Sequence, residues 1–208
     1  MQKLLEGHTS FRREYASGAR DFLSRLAAEH QSPDALYVGC SDSRVVPELL
    51  TTSSPGDLFV VRNIANVVPP FDHADASVGA ALEYAVNVLE VPHVIVCGHY
   101  GCGGVKAVLD HAPKVRKLPS LREWLDGIER SIDASRLEAL DPDEQWRYSV
   151  EANVLAQLAN LTTYPTLRER LEAEALRLHG WVYDLASQRI TVYDAVGETF
   201  VDAERILG

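Results

Sequence analysis

No apolar run in this chain approaches the length needed to span a bilayer, and Met1-Gln2-Lys3-Leu4-Leu5-Glu6 lacks a signal-peptide core. A cytoplasmic protein with no membrane partner is therefore expected. Cysteine is scarce, with three in 208 residues: Cys40, Cys97 and Cys102. An odd count with no export signal argues against a disulfide framework and leaves metal binding or burial. No Cys-x-x-Cys pair occurs, which weakens a redox-thiol reading. Basic residues are also short, 20 Lys and Arg against 30 Asp and Glu, for a net charge of −10. That balance argues against nucleic acid or an anionic membrane as partner, while a local cationic pocket for a small anion stays open. Internal repeats, low-complexity tracts and linkers are missing too. What is present is ordinary globular composition, 46% apolar and 24% charged, in a chain long enough for one sizeable α/β domain.

Apolar residues at Phe11, Tyr15, Phe22, Leu23 and Leu26 predict an amphipathic helix from Phe11 to Ala27. Short apolar strands are expected at Ala35 to Gly39, Leu58 to Val61 and from His93 through Val96 and Cys97. A brief helix is expected over Pro47 to Leu50, others over Ala76 to Leu89, Val105 to His111, Pro142 to Leu161 and Thr166 to Ala175. Leu176 to Leu185 and Arg189 to Tyr193 read as a closing hairpin. Strands alternating with helices imply one α/β domain: a central, mostly parallel sheet with flanking helices and an antiparallel edge hairpin.

Ligands of an open parallel sheet bind beyond the carboxyl ends of its strands. Two such ends carry metal-type side chains: Cys40 after the first strand, and His99 with Cys102 in the loop after the third. Neighbouring strands lie about 5 Å apart, so the two loops can share an ion. Two sulfurs and an imidazole with one open position are the donor set of a catalytic zinc. Spacing alone equally admits three ordinary buried side chains. Cys97 lies within an apolar run and is assigned to the core. Asp42 and Arg44, two apart on an extended loop, are placed to pair beside the metal. A surface turn ion pair is the plainer alternative. His8, His30, His73, His93, His111 and His179 lack ligand spacing to one another.

Cys40-Ser41-Asp42-Ser43-Arg44 and Cys97-Gly98-His99-Tyr100-Gly101-Cys102-Gly103-Gly104 closely resemble the β-class carbonic anhydrases. So do Arg62-Asn63-Ile64-Ala65-Asn66, Glu83-Tyr84-Ala85 and His179-Gly180-Trp181-Val182-Tyr183-Asp184, and the likeness runs from about Gln31 to Tyr183. The resemblance implies one zinc ion per chain held by Cys40, His99 and Cys102, and reversible hydration of CO2 by a zinc-activated water. Asp42 would orient that water with Arg44 holding it, or would itself ligate the metal in a closed state. Gln31, Phe59 and Tyr84 match a CO2 pocket in which Gln31 and Tyr84 enter from different subunits. Gly103 and Gly104 match a place where backbone N–H groups meet bicarbonate oxygens. At least a homodimer is implied, or a tetramer of dimeric units, with a helical arm over residues 1–30 packing on the partner.

A bicarbonate-inhibited branch of the family carries a tryptophan, an arginine and a tyrosine in a separate anion site. Arg62 and Tyr183 match the latter two, but Tyr37 stands at the tryptophan position. No strong bicarbonate inhibition of that kind is expected. Two other functions fit the same motifs: hydrolysis of a CO2 isostere such as COS or CS2, and non-catalytic bicarbonate binding or scaffolding. Intact Asp42 and Arg44 speak against the pure binder.

Overall fold

The computed structural model describes residues 1–207, with side chains through residue 206. Residues Met1–Ser32 form a compact helical unit of their own. It comprises α1 (Gln2–Ser10), a π turn (Phe11–Tyr15), α2 (Ala16–Gly18) and α3 (Arg20–Ala28). The expected single helix from Phe11 thus begins nine residues earlier and is broken at Ala19, whose φ of −104° and ψ of 20° leave the helical region. None of these helical residues is buried, and Phe11 and Tyr15 stack on one another at 5.3 Å between ring centroids. Periodicity located the amphipathic portion; the polar first turns carry no such signal.

From Pro33 the chain builds the α/β unit. Its elements run β1 (Ala35–Cys40), α4 (Pro47–Thr51), β2 (Leu58–Asn63), α5 (Ala76–Glu83), β3 (His93–His99), α6 (Gly103–Leu109), α7 (Pro113–Arg116), α8 (Pro119–Ser131) and α9 (Ala134–Leu137). Then come α10 (Pro142–Leu161), α11 (Pro165–Glu172), β4 (Arg177–Tyr183), β5 (Ile190–Asp194), β6 (Thr199–Asp202) and α12 (Glu204–Leu207). The six strands form one sheet in the order β2-β1-β3-β4-β5-β6. Pairs β1/β2, β1/β3 and β3/β4 are parallel; β4/β5 and β5/β6 are antiparallel. The expected hairpin is therefore two strands of a three-stranded meander, and β4 is also a fourth parallel strand. Thr199–Asp202 escaped the sequence reading because four residues with two apolar ones give no period. Helix α5 passes into a π turn (Tyr84–Val88) in place of a regular last turn, and α6 starts two residues before the expected Val105.

Side chains alternate across the sheet. One face carries Leu36, Val38, Val94, Val96 and Val182 into the main core, with Leu82, Ile128, Val154 and Leu167 packed from α5, α8, α10 and α11. The other face carries Ala35, Tyr37, Ile95 and Cys97, with Val45 and Leu50 against it. Long helix α10 starts at a capping box: Asp141 accepts from the N–H groups of Asp143 and Glu144, and Glu144 accepts from that of Asp141. It lies close on the sheet because Gly98 and Gly180 have no side chain. A Cβ there would come within 2.8 Å of Val154 and 2.9 Å of Leu158 respectively. That approach fixes α10 over the carboxyl ends of β3 and β4, where the chemistry-bearing residues gather.

Candidate metal centre and active site

Cys40 is the last residue of β1 and His99 the last of β3. Cys102 caps the start of α6, three residues on. The sequence reading had put His99 in a loop; the β3/β4 ladder instead extends to it, pairing it with Tyr183. That is a firmer support, since strand backbone fixes the ring. The donor atoms of Cys40, His99 and Cys102 all lie within 4.8 Å of one another, and all three residues are buried. The two sulfurs are 4.0 Å apart. A tetrahedral ion with sulfur at about 2.3 Å would separate them by about 3.8 Å, so the set fits a metal of zinc's size.

His99 supplies the independent test. Its Nδ1 is 3.1 Å from the carbonyl oxygen of Tyr100 and donates its proton there. Nε2 is then a bare lone pair, fully buried and without a hydrogen-bond partner. A buried polar atom left unpaired costs about 1–3 kcal/mol unless something binds it. A cation at the centre of the donor triangle does so.

The two thiols hydrogen-bond to each other, and that contact draws Cys40 well below the ordinary thiol range against the opposing burial; contact with His99 and the Asp42 N–H, 3.4 Å from the sulfur, adds to it. Cys102 is pushed far up, first by its bond to Cys40 and then by burial. Gly104 is glycine for a packing reason, since a Cβ would meet Ala65 at 3.0 Å and Ile64 at 3.1 Å.

Asp42 and Arg44 form the expected pair. The guanidinium donates to both carboxylate oxygens, at 2.9 and 2.7 Å, and Arg44 N–H adds a bond of 3.0 Å. These bonds, Arg44's side chain foremost, hold the Asp42 carboxyl well below the usual carboxylate range. Asp42 Oδ2 is 3.8 Å from His99 Nε2, so the carboxylate faces the donor triangle while clamped outside it. Arg62 steadies this loop from β2, donating to the carbonyls of Cys40 and Asp42 at 3.0 and 2.7 Å.

A carbonic anhydrase family model matches residues 35–190. The chain is 42% identical to the carbonic anhydrase of Pseudomonas aeruginosa, over 97% of this chain and 91% of that protein. It is 41% identical to that of Synechocystis sp., over 97% and 74% respectively. The chain belongs to the β-carbonic anhydrase family. Its enzyme class is accordingly carbonate dehydratase, a lyase. The solved structure of the β-carbonic anhydrase CcaA superposes with a TM-score of 0.92 at 40% identity, over 97% of this chain and 98% of that one. A chain from crystal structures of two tetrameric β-carbonic anhydrases from Sordaria macrospora gives 0.83 at 33%, over 92% of this chain and 95% of that one.

Of the pocket residues, Phe59 on β2 and Tyr84 at the end of α5 come together, with ring centroids 5.9 Å apart. Tyr84 is 43% exposed, more than a core tyrosine would be. Gln31 lies in the helical unit and is exposed. Gly103 opens α6 with open space around it. Tyr37 is buried on the sheet face that also carries Cys97, its hydroxyl unpartnered. Cys97 sits there with its thiol pushed up to about 12 by burial. Cys97→Ala is therefore expected to leave the metal content, measured by atomic absorption, at about one per chain. Loss of metal would show that the wrong thiol had been assigned.

Sequence reasoning missed several contributors. Arg62 was noted only for the anion site. The Asp42 N–H donates to the Cys40 sulfur at 3.4 Å, and a backbone group has no signature in sequence. Away from the site, His93 and His179, far apart in the chain, are 3.1 Å apart because β3 and β4 are neighbours. Asn153 and Gln157 were visible as polar residues four apart among the apolar positions of α10, a pattern that signals a buried polar contact.

Proposed function

We propose that this β-carbonic anhydrase hydrates CO2 reversibly to bicarbonate and a proton, using one zinc ion held by Cys40, His99 and Cys102. The supporting observation is the buried three-donor set with a clamped carboxylate beside its open position. Two thiolates and one neutral imidazole are soft enough, and few enough, to select zinc in a four-coordinate site. Zinc supplies a water acidic enough to serve as nucleophile near neutral pH.

The chain's own residues do the rest. Asp42 accepts a hydrogen bond from the attacking water and turns its lone pair toward the CO2 carbon. Arg44 keeps Asp42 ionised and pointed. Should Asp42 leave Arg44, its freed carboxylate, with Oδ2 3.8 Å from His99 Nε2, would be close enough to serve as a further ligand to a bound ion, which would close the site. Phe59 and Tyr84 offer CO2 an apolar wall, completed by Gln31 of a second subunit. Gly103 and Gly104, at the start of α6, would offer backbone N–H groups to a bicarbonate oxygen. The arm over residues 1–30 packs on a partner in a homodimer or a tetramer of dimers, which would cover Phe11 and Tyr15, 46% and 44% exposed. Among the described residues no helix is long and apolar enough to cross a membrane, and the net charge gives nucleic acid no footing. A cytoplasmic setting, where thiols stay reduced, suits the three free cysteines.

Stopped-flow CO2 hydration with a pH indicator, on protein of known zinc content, tests this function. The zinc-loaded protein accelerates hydration across neutral to alkaline pH, and added bicarbonate does not suppress it, because Tyr37 replaces the tryptophan and Arg62 is engaged by two carbonyls. One zinc per chain with no rate above background would sink the reading. Strong, cooperative inhibition by bicarbonate would sink its regulatory part.

A further inference from the structure

The turn from His99 to Cys102 carries two of the three metal donors, and it is not stiff by itself. Gly101 has left-handed backbone, with φ of 79°, a region that glycine enters and leaves at little cost. Yet the turn has to keep the His99 ring and the Cys102 sulfur aimed at one point. Main-chain groups do part of this. The Tyr100 N–H donates to the Tyr183 carbonyl at 2.9 Å, which ties the turn to the end of β4. The Tyr100 carbonyl faces His99 Nδ1 at 3.1 Å.

The remaining hold comes from the first turns of α10. Trp146 Nε1 donates to the Cys102 carbonyl at 3.1 Å. The Tyr100 hydroxyl donates to Glu151 Oε1, and the Arg147 guanidinium lies over the Tyr100 ring, 3.6 Å from its centroid. Arg147 is in turn 3.9 Å from Asp184, just beyond β4. Gly98 lets this part of α10 come close, since a Cβ there would meet Val150 at 3.2 Å. Tyr100 is only 8% exposed. Phenylalanine would fill its place with no hydroxyl to satisfy and no carboxylate drawn against it. Burial is non-directional, whereas a hydrogen bond from the ring's tip fixes where the residue sits.

We propose that Glu151 and Trp146 are positioning residues for the metal centre: Glu151 anchors Tyr100, whose carbonyl holds the His99 ring, and Trp146 anchors the carbonyl of Cys102. The inference rests on His99 and Cys102 being metal ligands. A carbonyl kept at Nδ1 keeps the proton there and leaves Nε2 bare for the ion. Released from α10, Tyr100 shifts, the bond to Nδ1 opens part of the time, and the ion has to order the turn as it binds.

The test uses the full chain, first metal-free and then with zinc. Long-range proton–nitrogen correlation spectra near neutral pH show which nitrogen of His99 carries the proton, and solvent exchange of that proton shows how firmly the carbonyl holds it. In the wild type the proton is on Nδ1 and exchanges slowly. Tyr100→Phe removes only the hydroxyl, and Glu151→Met removes its acceptor. Each is expected to speed the exchange and to lower zinc affinity, measured by chelator competition, on the order of 10- to 100-fold. Glu151→Gln keeps an oxygen acceptor and should recover most of both losses. Trp146→Phe deletes the donor to Cys102 and should lower zinc affinity while the His99 proton still exchanges slowly. Ser149→Ala is the control: Ser149 is fully buried on α10 but bonds only the Gln145 carbonyl of its own helix, so it should move neither reading. Should Tyr100→Phe not fold, Glu151→Met reads the same contact from α10. A wild-type His99 with its proton on Nε2 overturns the proposal. So do variants that fold, lose thermal stability and keep the wild-type exchange and zinc affinity. Wild-type protein that takes up no zinc would instead overturn the metal-centre reading beneath it.

Discussion

Asp42→Asn lowers kcat/KM for CO2 hydration by about 100-fold while zinc stays near one per chain, about 2.7 kcal/mol of lost transition-state stabilisation. The carboxylate makes two kinds of contact. Both oxygens take charge-assisted bonds from Arg44, and Oδ2 faces His99 Nε2 at 3.8 Å. Asparagine keeps the shape but turns one acceptor into a donor. Directed at Arg44, that NH2 meets a guanidinium with nothing to accept it; directed at the centre, it cannot accept the water's proton. The metal ligands are untouched, so loss of rate without loss of zinc is the signature. Stopped-flow rates and zinc stoichiometry on one preparation check it, and a variant within threefold of wild type would remove Asp42 from the mechanism. The pH dependence is fixed by sign. A carboxyl whose folded pKa is depressed stabilises the fold above its unfolded value, near 3.9, and loses that contribution as pH falls through the folded value. Asp42 is so depressed that it stays ionised throughout the assay range. A break in the wild-type profile at neutral or alkaline pH therefore belongs to another group, and Asp42→Asn should lower the rate without erasing that break.

How much could be read in advance follows from how each feature is made. The parallel strands were legible because sheets covered on both faces demand continuous apolar runs, and Ala35 to Gly39 and His93 to Val96 supply them. Cys40, His99 and Cys102 were legible as residue types at strand ends, where backbone geometry concentrates function. β6 was not, since its four residues become a strand only by pairing with β5. The pairing of His93 with His179 was likewise hidden in register. The support around the sulfurs was hidden more deeply. The Asp42 N–H that meets the Cys40 sulfur at 3.4 Å belongs to a peptide unit that every residue has, and only the loop after β1 aims it. Sequence names the candidate ligands; the fold decides how much charge they keep.

Cys40→Ser abolishes both metal and activity: zinc falls from about one to below about 0.1 per chain, and hydration falls at least 1,000-fold, to background. Serine nearly preserves the geometry, so the effect isolates the chemistry of the donor. A hydroxyl stays protonated at neutral pH and is a poor zinc ligand, whereas Cys40 is held well below the ordinary thiol range by its contact with Cys102. Two donors remain, and two do not close a structural or catalytic zinc site. The same logic gives the acid limit of the wild type. Cys102, pushed far up by Cys40 and by burial, must release its proton for the metal to bind. Binding thus liberates protons, and zinc affinity falls as pH falls. Equilibrium dialysis against a chelator between about pH 5 and pH 8 follows both effects. Cys40→Ser that retained a full zinc would move the third ligand elsewhere, and with Cys97 walled off on the opposite face of the sheet, Asp42 is the residue left to supply it.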